Sequence, residues 1–479
     1  EEDEDEYASE EPHIMAVYQF ATTITFEFGF DRAKAQIERD QRGGLRGLDP
    51  PSAGPKWAKF YSVLSQFAVA EKEYMSAAYL APQQNKGFLG RALAKEENWL
   101  RKTYSSMSLE LEKIEILEGV PELVEIASQL KLLVKTRESL MSFYEGLCQS
   151  ALAAASADAT TENSEFMDFE ALLVELTKTV DLLHEWWHGC IKPLRIHVLR
   201  ECQIVGGYIS CLAEVARWKY NLALGPMTRA KKCYDRWKDA MKVWRDTKKT
   251  GLLSSLTGDA PEPYLFLWIA KLKLAVADKY TFYFYQILEK ASPSPQMFRD
   301  MVQQSASVNF ALRMQDFHKR CEALHVALVF DGASDPTYTG PGFQMPPSQA
   351  IPGGFPFPSP RPSGLDLYPA MFSWPADEAH TESVRKRHWP SIVMTIARMQ
   401  ASRERDIQCG GEDGVVYLYD DRADVTYFVR RVGDPLVFAV VVFDSFRPDD
   451  ELGVRGFLAE LGAELKCAEV FTTLKLRNK

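Results

Sequence analysis

Apolar residues in the first two-thirds of the chain recur at intervals of three and four. In the last third they shift to short runs and alternations. The densest helical stretch is 263–290, where Leu265, Trp268, Leu272, Val276, Tyr280, Tyr283 and Ile287 form one stripe. Phe266, Phe282, Phe284 and Tyr285 spread apolar surface well beyond it. A helix apolar on most sides must be packed on most sides, so this segment is expected to be the central helix of an all-helical domain. Pro263 suits a first helical position, where a missing N–H costs nothing.

The same periodicity predicts further helices over Pro12–Arg42, Lys56–Leu80, Arg91–Leu117, Pro121–Leu152, Glu165–Ile191, Leu194–Leu222 and Thr228–Lys249, with a last one running to about Arg320. Threonine and phenylalanine between Thr22 and Phe30 would alone favour a strand, but strong helix formers follow from Asp31. Breaks are expected at Pro193 and at Gly225-Pro226, and loops over Gly43–Pro55, Ala153–Thr161 and Thr250–Pro261. Helices with short connections make a bundle, here an elongated one over 12–320.

At Cys321 the period changes. His325–Phe330 reads as a buried strand, followed by strand-like runs at Tyr368–Trp374, Ile392–Ala397, Val415–Tyr419, Val425–Arg430 and Val437–Phe443. The last of these is apolar on both faces and should be central. Asp449–Lys466 is an amphipathic helix. The expected fold is therefore α+β and multidomain: an acidic disordered tail at 1–11, the bundle, and an α/β domain over 321–479 with a mostly antiparallel sheet. A Pro/Gly-rich insertion at about 332–364 is expected to be disordered, and its Phe355-Pro-Phe-Pro-Ser-Pro-Arg-Pro362 run is a candidate peptide ligand for a partner domain.

Charge narrows the function. The 479 residues carry a formal net charge of −10, which argues against a general nucleic-acid binder. The longest apolar run, Leu436–Phe443, is too short to cross a bilayer, and no secretory signal is visible. Eight scattered cysteines form no C-x-x-C pair and fit a reducing cytoplasm.

One chemical motif stands out. His184-Glu185-Trp186-Trp187-His188 is an H-E-x-x-H match inside an expected helix, where two imidazoles one turn apart can grip Zn²⁺ with the glutamate as base. A third ligand would be Glu201 or Glu214, so a helical zinc hydrolase is one alternative. The bland alternative is a bundle helix with a tryptophan inward. A second candidate is the basic helix 229–249, whose Arg229, Lys231, Lys232, Arg236 and Lys238 back an apolar stripe of Tyr234, Trp237, Met241 and Trp244. A solvated helix face is the ordinary reading of such a run; a surface for anionic lipid or an acidic partner is the functional one, and it makes a membrane-surface adaptor the other alternative. Arg385, Lys386 and Arg387 form a lesser basic cluster. No phosphate loop, dinucleotide fingerprint or nucleophile elbow is present, and no catalytic residue or cofactor is expected.

Several stretches together resemble the family of KICSTOR subunit two, the small helical plus roadblock-like subunit of the KICSTOR scaffold. Pro263-Tyr-Leu-Phe-Leu-Trp-Ile-Ala-Lys-Leu-Lys273 and Phe282-Tyr-Phe284 match the family's aromatic helix. His388-Trp-Pro-Ser-Ile-Val-Met394, Val416-Tyr-Leu-Tyr-Asp-Asp421, Thr426-Tyr-Phe-Val429 and Tyr368-Pro-Ala370 follow in order, as Asp31-Arg-Ala-Lys34 and Ala70-Glu-Lys-Glu-Tyr74 do near the N-terminus. The resemblance implies a helical domain followed by a roadblock- or profilin-like domain, in a non-enzymatic scaffold subunit. It implies a complex on lysosomes that recruits GATOR, which acts on Rag GTPases, and restrains the rapamycin-target (TOR) kinase complex when amino acids or glucose are scarce. The implied partners are kaptin, the integrin-alpha FG-GAP-repeat subunit and the seizure-threshold subunit, with a homodimer expected because roadblock-like sheets often pair. The chain would be cytoplasmic and reach the lysosomal surface through those partners. The family carries no zinc-protease motif, which weighs against the H-E-x-x-H reading.

Overall fold

A computed structural model describes residues 11–43, 54–80, 99–156, 166–183, 187–248, 261–342, 362–404 and 414–474. The expected acidic tail, apart from Glu11, lies outside them, as do 343–361 of the insertion. Within the insertion's described part, Tyr338 is buried against Phe330, their rings 5.4 Å apart.

The chain opens with α1 (Glu11–Glu27) and α2 (Phe30–Gly43), where a single helix is expected. Phe28 adopts a left-handed backbone, φ 51°, and the turn drives its ring into the core beside Trp237 and Phe266. The threonines of α1 are accommodated because Thr22, Thr23 and Thr25 donate to carbonyls one turn back, at 2.8–2.9 Å. Next come α3 (Gly54–Met75), α4 (Trp99–Glu115) and α5 (Pro121–Ser156), the last extending into the expected Ala153–Thr161 loop. The helix expected over Glu165–Ile191 is shorter, α6 (Phe169–Asp181), with Asp168 capping the amide of Ala171.

Pro193 sits in the first turn of α7 (Lys192–Ala216), where it starts a helix. Gly225-Pro226 does not break the chain: α8 (Tyr220–Lys248) runs through it. Gly207 of α7 explains this, because a Cβ there would lie 2.8 Å from Ala230 Cβ and 3.2 Å from Pro226 O. The bare backbone lets α8 press on α7 across the proline, and that packing offsets the lost helical hydrogen bond.

The aromatic helix is two, α9 (Tyr264–Tyr283) and α10 (Tyr285–Ala291), kinked where fully buried Phe284 turns toward Tyr220. The last expected helix is also two, α11 (Pro295–Ser305) and α12 (Phe310–Cys321). Their connection is pinned to α9, for the Asp278 carboxylate accepts from the amides of Ser307 and Val308.

Strands β1 (His325–Phe330), β2 (Ala370–Trp374), β3 (Val415–Asp420), β4 (Val425–Arg431) and β5 (Val437–Phe443) form one antiparallel sheet in the order β2-β1-β5-β4-β3. Central β5 is buried at every position, as its unbroken apolar run demands. The strand expected at Ile392–Ala397 is helical: α13 (Glu378–Arg387) and α14 (Trp389–Glu404) cover one face of the sheet with Trp389, Ile392, Ile396 and Met399. Their spacing of three and four is a helix stripe that the β-branched residues between Ile392 and Ala397 obscure. The opposite sheet face, from Val326, Leu328, Val441 and Phe443, belongs to the same continuous core as the helices from α1 onward. The chain ends with α15 (Leu452–Leu465) and α16 (Ala468–Thr472).

Helix α9 lies within that common core. Trp268, 1% exposed, donates from Nε1 to the Val470 carbonyl at 2.7 Å, and the Tyr264 hydroxyl donates to the Thr473 carbonyl.

Candidate functional site

Helix α8 is amphipathic in the way its sequence demands. Ala230, Tyr234, Trp237 and Met241 are buried, and half-buried Trp244 donates to Glu27 Oε1 at 2.9 Å. The opposite face exposes Arg229, Lys231, Lys232, Arg236 and Lys238. Asp235 is drawn off by Lys273 of α9 at 3.1 Å. Among the described residues none of the five cations has a carboxylate partner, so their field stays available to an anionic surface.

Arg385, Lys386 and Arg387 occupy the last turn of α13, where cations complement the helix dipole. Arg385 pairs with Asp366, and Lys386 with Glu382 at 2.7 Å, so two of the three cations are neutralised in place. The two basic clusters thus sit on separate elements, α8 and α13.

The helical core holds a buried polar framework. Arg137 of α5 donates to Glu71 of α3 through Nε and one terminal nitrogen at 2.8 and 2.9 Å, and through the other to Glu201 of α7 at 2.6 Å. The Tyr74 and Tyr144 hydroxyls donate to Glu201 Oε1 at 2.6 and 3.0 Å, and Tyr104 of α4 to Glu71 at 3.4 Å. Burial pushes the Glu71 carboxyl above its usual range, against the pull of Arg137. Burial alone would lower Arg137, yet Glu71 and Glu201 hold its guanidinium above its ordinary value. Every acid here is spoken for by donors, so the network sets the relative placement of four helices and offers no free base. The sequence holds one signal for it: Arg137 falls on the stripe of Leu130, Leu133, Leu140 and Tyr144, where a charge demands a partner.

The H-E-x-x-H match loses its helix. Helix α6 ends at Asp181, Trp187 and His188 are not helical, and His184 and Glu185 lie outside the described residues. His188 Nδ1 lies 3.0 Å from Cys190 Sγ, and Trp187 is buried. Glu201, one candidate third ligand, is consumed by Arg137 and the two tyrosines. Among the described residues, no group of three or more His, Cys, Asp or Glu side chains is placed to hold a metal, and no helix is long and apolar enough to cross a membrane.

Comparison with known proteins adds the family. A family model described as "KICSTOR complex C12orf66 like" matches residues 8–479. The zebrafish (Danio rerio) protein named KICSTOR subunit 2 is 25% identical over 478 residues, covering 98% of this chain and 97% of the relative. The Xenopus laevis protein of the same name is 25% identical over 470 residues, covering 94% of each.

Proposed function

The chain belongs to the KICSTOR complex C12orf66-like family, and from that premise we propose that it is a non-enzymatic scaffold subunit of a KICSTOR-like complex. In this reading the complex sits on lysosomes, recruits GATOR, and restrains the TOR kinase complex when amino acids or glucose are scarce. Its fellow subunits are kaptin, the integrin-alpha FG-GAP-repeat subunit and the seizure-threshold subunit. The chain is cytoplasmic and meets the lysosomal surface through them.

The observation that carries the reading is collinearity. The family match spans the helices and the sheet alike, and the family-like stretches fall on α9, α14, β3 and β4. The part beginning at Cys321 is read as a roadblock- or profilin-like domain that pairs in a homodimer; a five-stranded antiparallel sheet with helices on both faces supports this. A membrane-surface role for α8 is the second reading, favoured by Arg229, Lys231, Lys232, Arg236 and Lys238, which are exposed and have no carboxylate partner among the described residues. Cells lacking the chain test the first: TOR signalling should persist through amino-acid withdrawal and become starvation-sensitive on re-expression. Signalling that falls normally without the chain contradicts it.

A further inference from the structure

We propose that the open edge of β3 takes up an extended basic segment of a partner protein as a sixth strand of the sheet. This goes beyond the scaffold reading and does not depend on it.

The two edges of the sheet are finished differently. Edge strand β2 pairs with β1 through a register shift between Leu328 and Val329. Its Phe372 is buried against Phe282 of α9 and Tyr285 of α10, with ring centroids 5.3 and 5.6 Å away. Edge strand β3 has neither device. It runs in unbroken register with β4 from Val415 to Asp420, and no strand pairs with its other side among the described residues. Its sequence, Val-Val-Tyr-Leu-Tyr-Asp, holds no proline and no lysine. Proteins blunt free edges with bulges, prolines and lysines, because a bare row of N–H and C=O groups templates another strand. An in-register, uncovered and largely apolar edge is fit to accept one.

The loop after β5 supplies a side-chain seat beside that edge. The Arg447 N–H donates to Thr426 Oγ1 of β4 at 3.0 Å, and the Tyr417 hydroxyl of β3 donates to the Arg447 carbonyl at 2.8 Å. The loop is thereby tied to β4 and β3 together. It sets Phe446 edge-on to Tyr419, ring centroids 5.0 Å apart, and leaves the phenylalanine 58% exposed. A large ring held in place and still wet is an anchor for an apolar side chain of the incoming strand.

Charge says which strand. The register puts Asp420 opposite Val425, and in the next row Tyr419, Thr426 and Phe443. Asp444, directly after Phe443, therefore lies at the same end of the sheet as Asp420 and the turn residues Asp421 and Asp424. Asp449 and Asp450 follow the loop where it reaches Tyr417, whose phenol is raised by burial first and by the Asp449 carboxylate second. Asp421, Asp444 and Asp450 are exposed and have no cationic partner among the described residues. Nearby cations are drawn elsewhere: Arg447 sits over the Phe443 ring, 4.9 Å from its centroid, and Arg455 pairs with Asp449. A second copy of the chain would bring the same acids to this edge. The complement is a strand with lysine or arginine on both sides of a short apolar centre.

The test is fluorescence anisotropy of the full chain with a labelled heptapeptide, valine-phenylalanine-valine flanked by lysine pairs. Controls replace the lysines by glutamate, or carry backbone N-methyl groups at alternate residues in either of the two registers. The expected result is saturable binding of the lysine peptide and none of the glutamate peptide, with at least one N-methylated peptide at least about tenfold weaker, since an added strand bonds through alternate residues. Asp421→Lys combined with Asp450→Lys, at exposed positions outside the core, should weaken the lysine peptide about tenfold, and so should Phe446→Ser. No saturable binding up to about 1 mM would overturn the proposal. Unchanged binding of both N-methylated peptides, or unchanged binding in the charge-reversed variant, would overturn it equally. A chain that sediments as a dimer and becomes a monomer in Phe446→Ser would give the edge to a second copy and also overturn it.

Discussion

Lys279 of α9 and Asp434, in the turn between β4 and β5, form an ion pair of 2.7 Å with side chains only 1% and 4% exposed. The Tyr283 hydroxyl donates to the same carboxylate oxygen at 2.6 Å. The pair fastens the central helix to the sheet from residues far apart in the chain. Lys279→Met leaves Asp434 buried without its cation and should cost about 3–5 kcal/mol in urea denaturation. The double variant with Asp434→Leu should recover much of that loss, because no charge is then left stranded. A double variant no better than the single one would contradict this account of the pair.

Arg137 neutralises two buried carboxylates, so Arg137→Met should lose about 3–5 kcal/mol at neutral pH. The deficit should depend on pH. Glu71 has a folded pKa already raised by burial above its ordinary 4.5, so the folded chain takes up a proton more readily than the unfolded one. Such a group favours folding at low pH, and that contribution is lost as pH rises through the folded value. Without Arg137 the folded value rises further, so the gap to the parent chain should narrow as pH falls from 7 toward 5. A pH-independent gap would argue against a stranded charge.

His325 opens β1 beside His318, His380 and His388, and burial pushes its imidazole from 6.5 down to about 3. The unfolded chain therefore binds a proton that the folded chain refuses, and stability is lost as pH falls through that window. The parent chain should lose about 1.4 kcal/mol more per pH unit than His325→Leu between pH 6 and 4. Parallel acid-denaturation curves would contradict this.

On the second reading, the exposed cations of α8 serve surface recognition and not folding. Charge reversal at Lys231, Lys232 and Lys238 should leave stability within about 0.5 kcal/mol. It should abolish whatever sedimentation the parent shows with anionic vesicles or an acidic partner. Undiminished sedimentation would dismiss this face.

Local periodicity made much of this fold legible. The stripe of α9 and the runs of β1, β4 and β5 announce their elements because each is set by its own neighbours' burial. The break at Pro193 was legible; two others were not. Phe28 and Phe284 interrupt helices whose sequences continue in period, because each ring is buried among side chains from distant parts of the chain. Pro226 breaks nothing, because Gly207 lies opposite it. Ile392–Ala397 looked like a strand from local β-branched content while its contacts follow a helix. Among candidate residues, the exposure of Arg229, Lys231, Lys232, Arg236 and Lys238 could be read from the helix period. The bonds of Arg137 to Glu71 and Glu201 depend on which helices meet, which no single segment encodes.

The scaffold reading makes assembly its central claim. Affinity purification of the full chain from starved and fed cells, with subunit stoichiometry measured by mass spectrometry, tests it most directly. The prediction is recovery of the other KICSTOR subunits in fixed proportion, with GATOR components alongside. Repeated recovery of the chain without any KICSTOR or GATOR component would contradict it.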